Sequence, residues 1–87
     1  MGLNYTVVYQ DQVIKNHIPA LSASTKLLLQ KSIESKLMVD PVAFGKPLRY
    51  SLKGHRRLRV GDYRIVYRIE DNSVIIIAIK HRKEIYK

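Results

Sequence analysis

Hydrophobic and polar residues alternate at the start of the chain: Leu3, Tyr5, Val7 and Tyr9 share one parity, and Asn4, Thr6 and Gln10 the other. A period of two predicts a half-buried strand. The period changes over residues 11–18, where Val13, Ile14 and Ile18 stand at helical spacing. Pro19 biases Ile18 away from helical backbone and predicts the end of a short helix there. The longest helix is expected from Pro19 or Ser22 to Met38: Leu29, Ile33 and Leu37 recur at i, i+4 and i+8 with Leu28 at the border, and Lys26, Lys31, Glu34 and Lys36 face water. Pro19 as a first helical residue and Ser22 as an N-cap are both competent starts, and Asp40-Pro41 is a stop.

Residues 41–47 read as a linker whose two prolines bracket Phe44, expected to anchor on the core. A second strand is expected within 48–60, interrupted at Gly54 and ending at Leu58-Arg59-Val60. Gly61-Asp62 separates it from a third strand over 63–69, and residues 70–73 make another turn. Residues 74–79 are apolar at every position, which predicts a central strand buried on both faces. The tail over 81–87 is expected to form a turn or one helical turn. The element order is β-α-α-β-β-β.

Glycine as the first residue of a two-residue loop suits a type II′ hairpin, because its positive φ matches the strand twist. With Gly61 and Asp62 as the loop, Val60 faces Tyr63, Arg59 faces Arg64, Leu58 faces Ile65 and Arg57 faces Val66. Leu58, Val60, Tyr63, Ile65, Tyr67 and Ile69 then turn toward the helices, and Arg57, Arg59, Arg64 and Arg68 share the other face with Val66. Directly opposed like charges such as Arg59 and Arg64 cost ~0.2–1 kcal/mol, so an anion is expected on that face. The alternative is a solvated sheet face partly neutralised by Asp62 and Glu70.

Composition sets the bounds on this picture. Eighty-seven residues make room for one domain, 1–87, and 46% hydrophobic with 26% charged residues is a globular balance. With no cysteine the core holds without disulfides, which fits a reducing compartment. No secretory signal and no apolar run long enough for a bilayer is present, so no membrane partner and a cytoplasmic location are expected. Three isolated histidines and scattered acids offer no metal-ligand spacing, and no cofactor is expected. Charge is more informative: sixteen Lys and Arg against seven Asp and Glu give +9, of which residues 46–87 carry +8. That half is expected to meet a polyanion. Within 49–68 arginine outnumbers lysine six to one, and the planar guanidinium suits phosphate.

The run Leu52-Lys-Gly-His-Arg-Arg-Leu-Arg-Val-Gly-Asp-Tyr-Arg-Ile-Val-Tyr-Arg-Ile69, a hydrophobic strand, and then His81-Arg-Lys-Glu-Ile-Tyr86 resemble the RelE/ParE superfamily of toxins from type II toxin–antitoxin pairs, on its RelE side. The resemblance covers nearly the whole chain. It implies an α+β fold with two N-terminal helices packed on one face of a four-stranded, mostly antiparallel sheet whose other face binds RNA. It also implies a toxin that cleaves messenger RNA on the ribosome and is neutralised by a cognate antitoxin, here expected to carry an acidic segment. No direct specific DNA binding is expected except through the antitoxin, since the basic charge lies on strands and tail and no helix-turn-helix is present.

Carried over by position, the resemblance implies that Arg57 contacts the phosphate and Arg64 stabilises the pentacoordinate phosphate. Arg82 stands near the leaving 5′ oxygen, and Tyr86 takes the 2′-hydroxyl proton. Attack by a ribose 2′-oxygen needs a base for that proton and positive charge where phosphate charge develops. A phenol with pKa ~10 serves at neutral pH only if nearby cations depress it, and Arg64, Arg82, Lys83 and Lys87 are candidates. Where RelE-type proteins carry a lysine before the strand this chain has His55, so either His55 or Lys53 takes that role, or neither. The choice between His81 and Arg82 stays open by one position, and His81, an imidazole with an ordinary pKa of ~6.5, is a candidate acid or base should Tyr86 not serve. Arg59, Arg68 and Lys83 complete the candidate RNA-binding set, and His17 is expected to be structural or exposed. Two other functions compete: a ParE-like toxin that inhibits DNA gyrase without chemistry, and a non-catalytic basic nucleic-acid-binding module.

Overall fold

A computed structural model describes residues 5–50 and 54–85. Its strands are β1 Thr6–Tyr9, β2 Lys46–Pro47, β3 Arg56–Val60, β4 Tyr63–Glu70 and β5 Ser73–His81, joined in one sheet in the order β1-β5-β4-β3-β2. β1 runs parallel to β5, and the other three pairings are antiparallel. The α+β class and mostly antiparallel sheet agree with the sequence, but the sheet has five strands rather than four. The extra one is the two-residue edge strand β2, in the segment expected to be a linker. An edge is where a strand tolerates Pro47, which has no N–H to donate.

Ser22 opens the main helix, α1 Ala23–Ser32: it is extended at φ −68° and ψ 162°, and its hydroxyl accepts from the Thr25 N–H at 3.2 Å. Pro19 lies in the preceding turn. The helix runs on through a π-helical turn, Ile33–Leu37, and buries Leu29, Ile33 and Leu37 as their spacing predicts. The expected first helix is a single π-helical turn, Val13–His17, closed by Ile18 N–H to Val13 C=O at 2.9 Å. This turn covers the part of the β5 edge that β1 leaves open beyond the Tyr9–Ile76 pair. Gln12 Nε2 donates to Ile77 C=O at 3.0 Å, and Ile79 N–H donates to His17 Nδ1 at 3.1 Å. His17 is therefore structural, supplying an acceptor to a strand edge that would otherwise invite another chain.

Phe44 does not anchor the 41–47 segment: it is 49% exposed. Asp40 caps a short helix, α2 Pro41–Phe44, accepting from the Ala43 N–H at 3.1 Å. The Tyr67 hydroxyl donates to Pro41 C=O at 2.6 Å, and Arg56 Nη2 donates to the carbonyls of Val42 at 2.7 Å and Gly45 at 2.8 Å. Gly45 is required sterically, since a Cβ there would sit 1.6 Å from the Tyr67 hydroxyl oxygen. Gly45→Ala is expected to destabilise the fold by about 3 kcal/mol in urea or thermal unfolding, because the ring and its buried bond must move. An unchanged unfolding midpoint would show that the loop is not held this way.

Burial pushes the Tyr67 phenol above its ordinary pKa, against the opposing hydrogen bond and charge of Arg56. Burial raises Tyr9 as well, with Glu34 adding to the shift. A raised folded-state pKa favours the protonated form, so this stabilisation is complete below the unfolded value and is lost as pH rises through the folded one. The melting temperature is expected to fall above pH ~10, and Tyr67→Phe to flatten part of that fall. A slope identical in the variant would exclude Tyr67 as a contributor.

The β3–β4 hairpin has the expected register, with Val60 opposite Tyr63 and Arg59 opposite Arg64, and Gly61 takes φ 58°. β4 and β5 begin from the Glu70–Ser73 pair and stay in register to Tyr67–Ile76. The next pair is Val66–Ala78, so Ile77 bulges out without a partner. The buried positions of β5 follow the bulge: Val74, Ile76 and then Ile79. β5 is an inner strand, but the expectation of burial on both faces is corrected, because Ile75 and Ala78 on the far face are only half-buried. The core lies between this sheet and the helices, with Leu58, Val60, Ile65 and Tyr67 supplied from β3 and β4.

Candidate nucleic-acid interface on the open sheet face

The face turned away from the helices collects cations from four strands. Arg59, Arg64 and Lys80 stand directly opposite one another across β3, β4 and β5. In the next row Arg57 faces Val66, which faces Ala78, and Lys46 of β2 lies opposite Arg57. Adjacent strands are ~4.8 Å apart, so the Arg59–Arg64–Lys80 row spans ~10 Å with Arg64 at its centre. Arg57 and Arg59 are exposed, whereas Arg64 is 7% exposed and is the one charged residue buried among the described residues. A guanidinium so shielded from water carries its charge in a lower effective dielectric, where that charge counts for more toward any anion placed beside it.

The other sequence-derived candidates distribute around this row. Arg68 is on the same face four residues along β4 from Arg64, ~13 Å away, and forms an ion pair with Glu70. His55 immediately precedes β3, and its carbonyl accepts from the Leu48 N–H at 2.8 Å. His81 pairs with Tyr63 on the helix-facing side, their rings edge to face at 5.1 Å. Its Nδ1 accepts from the Lys83 N–H at 3.2 Å, so this nitrogen serves at the start of the terminal helical turn, α3 Arg82–Ile85. Arg82 is tied to the hairpin loop: its N–H donates to Asp62 C=O at 2.7 Å, and its Nη1 is 3.7 Å from Asp62 Oδ1. That ion pair is solvent-exposed and contributes little stability, but it sets α3 one residue pair beyond the Arg59–Arg64–Lys80 row. Lys83 is exposed. Lys53 and Tyr86 lie outside the described residues.

The structure thus brings Arg57, Arg59 and Arg64 together as the hairpin register requires, and adds two cations that sequence reasoning missed, Lys46 and Lys80. Lys46 joins because Arg56 and Tyr67 hold the 41–47 segment against β3. Lys80 joins through the Ile77 bulge. A signal for it existed: unbroken alternation from Val74 and Ile76 would carry Lys80 into the core, where an unpaired ammonium is costly.

An apolar groove of about 750 Å³ opens on the helix side, between α1 and β1, lined by Tyr5, Val7, Tyr9, Leu21, Leu29 and Ile33 among others. It lies on the helix side of the sheet, the face opposite the cation row. Among the described residues no helix is long and apolar enough to cross a membrane.

Known proteins can be set beside this geometry. A family model described as the ParE toxin of type II toxin–antitoxin systems matches residues 11–86. The chain is similar to Toxin RelG of Mycobacterium tuberculosis, 44% identical over 50 residues that make up 55% of this chain and 58% of that protein. It is also similar to Toxin RelE of the same organism, 45% identical over 53 residues, 59% of this chain and 55% of that protein. The chain spans little more than half the length of these curated relatives. Among solved structures it resembles a chain of the toxin–antitoxin complex RelBE2 from Mycobacterium tuberculosis, with a TM-score of 0.82, 30% identity and coverage of 92% of this chain and 93% of that one. A chain of the RelB–RelE antitoxin–toxin complex from Methanococcus jannaschii has a TM-score of 0.64 at 19% identity, over 92% of this chain and 95% of that one, a likeness of fold alone. With a family model covering the whole helical layer, the arginine hairpin and the terminal turn, the chain belongs to the ParE toxin family of type II toxin–antitoxin systems, within the RelE/ParE superfamily.

Proposed function

We propose that this chain is a RelE-like toxin that cleaves messenger RNA on the ribosome, without a metal, by attack of a ribose 2′-oxygen on the adjacent phosphate. The observation that carries this reading is the buried Arg64 flanked by Arg59 and Lys80, with Arg57 one row away, on the sheet face turned away from the core helices. In the reaction the 2′-oxygen–phosphorus bond forms and the phosphorus–5′-oxygen bond breaks. The 2′-hydroxyl proton passes to the Tyr86 phenolate, and the leaving 5′ oxygen takes a proton from water beside Arg82. Arg57 binds the phosphate, and Arg64 stabilises the charge that develops on it. His55 or Lys53, with Lys83, adds positive charge around the RNA. The products are a 2′,3′-cyclic phosphate and a 5′-hydroxyl end. The names of the RelG and RelE relatives favour this branch.

The reading includes a cytoplasmic location and a cognate antitoxin whose acidic segment covers the cation row, supported by solved relatives that are toxin–antitoxin complexes. The description of the matching family model favours a second reading, inhibition of DNA gyrase without cleavage. The deciding experiment incubates the protein with programmed ribosomes and, separately, with naked RNA, and maps breaks by primer extension. Cleavage confined to ribosomes supports the proposal. No cleavage in either, with gyrase inhibited, establishes the second reading instead.

A further inference from the structure

We infer that Lys80 is a phosphate-binding residue of this face, holding the RNA backbone beside the phosphate at Arg64 and contributing to affinity rather than to the chemical step. The inference rests on the RNA reading of the open face. Lys80 is directly opposite Arg64 only because β5 carries one extra residue at Ile77. Continued from the Glu70–Ser73 turn without the bulge, the register pairs Arg64 with Ile79 and sets Lys80 against Tyr63, on the helix side. The bulge exchanges the two, so that Ile79 is 6% exposed in the core and Lys80 extends the cation row.

This placement works against stability, because like charges directly opposite one another destabilise a sheet. Among the side chains the structure describes, the carboxylates of Asp62 and Glu70 pair with Arg82 and Arg68, and none pairs with Lys80. An anion lying along the row offsets that repulsion. A polyanion does so best, since its successive charges meet Arg59, Arg64 and Lys80 in turn. The division of labour follows from side-chain chemistry. The arginine fork fixes phosphate geometry at the centre, whereas an ammonium is a hydrated point charge that attracts a phosphate without orienting it.

The test measures binding of the full chain to a single-stranded oligoribonucleotide carrying 2′-O-methyl groups throughout, which cannot be cleaved by 2′-oxygen attack, across a series of salt concentrations. Parent, Lys80→Gln, Lys80→Arg and Lys31→Gln, the last on the exposed side of α1, are compared. Loss of one phosphate contact is expected to weaken binding about five-fold at 0.1 M salt and to reduce the log–log salt slope by about 0.7. Lys80→Arg is expected to restore both, Lys31→Gln to match the parent, and Lys80→Gln to melt no earlier than the parent. On programmed ribosomes Lys80→Gln is expected to raise the half-saturating concentration about five-fold, and a loss seen only in the saturating single-turnover rate would overturn the inference. Parental affinity and slope in Lys80→Gln would overturn the inference, as would an equal loss in Lys31→Gln, a loss that Lys80→Arg fails to restore, or no binding by the parent. Cleavage by the parent on programmed ribosomes decides the RNase reading independently of all these outcomes.

Discussion

Arg64→Gln is expected to lower single-turnover cleavage on programmed ribosomes about 10²–10³-fold, the loss that follows removal of one preorganised donor to a developing oxyanion. Glutamine retains part of the side-chain stem that a 7% exposed residue packs into the sheet, so the change is chiefly one of charge. The fold should be as stable as the parent or slightly more so, because the repulsion of Arg64 by Arg59 on one side and Lys80 on the other is relieved. Antitoxin-free protein at saturating ribosome concentration gives the rate, and thermal unfolding supplies the control. A variant that melts markedly earlier while cleaving at the parental rate would make Arg64 a structural residue and move the phosphate-stabilising role to Arg57.

Tyr86→Phe should reduce cleavage by roughly 10²–10⁴-fold, the range for removal of a general base, without weakening RNA binding, since the ring stays and the hydroxyl goes. The choice of Tyr86 comes from the family resemblance of the closing segment. What supports it is the anchoring of the preceding turn, whose Arg82 N–H meets Asp62 C=O at 2.7 Å at the hairpin end. His81, the other candidate base, faces Tyr63 and uses Nδ1 to receive the Lys83 N–H. A pH profile separates the two. Proton removal by a phenolate whose pKa is lowered by cations gives a rising alkaline limb that disappears in the Phe variant. Parental rates in Tyr86→Phe would remove it from the mechanism and leave His81 as the next base to test.

Much of the site was legible in residues 57–68 because hairpin register is a local property. A glycine with φ 58° closes a two-residue loop, and from there a period of two assigns every side chain to a face. Arg57, Arg59, Arg64 and the apolar set Leu58, Val60, Ile65 and Tyr67 followed without knowledge of the rest of the chain. The same holds for α1, where the Leu29, Ile33 and Leu37 spacing marks the buried stripe and Ser22 carries its own capping oxygen. Net charge marked residues 46–87 as the basic half.

Position on the far strands was not local. The turn at residues 71–72 assigns Lys80 to the core side, and the Ile77 bulge, seven residues past Glu70, reverses that assignment. The reason is competition for burial: Ile79 gains by entering the core, and an ammonium there would lose its water. Lys46 reached the face through contacts between residues far apart in the chain, Tyr67 to Pro41 and Arg56 to Val42 and Gly45, none of which leaves a periodic trace. The side on which His81 stands was decided by the same bulge. By itself, then, the sequence determined the hairpin, the main helix and the arginines of one face, because steric preference and alternation act between near neighbours. Only the tertiary structure decided which distant lysines join those arginines, because that depends on which side chains the shared core accepts and which it excludes.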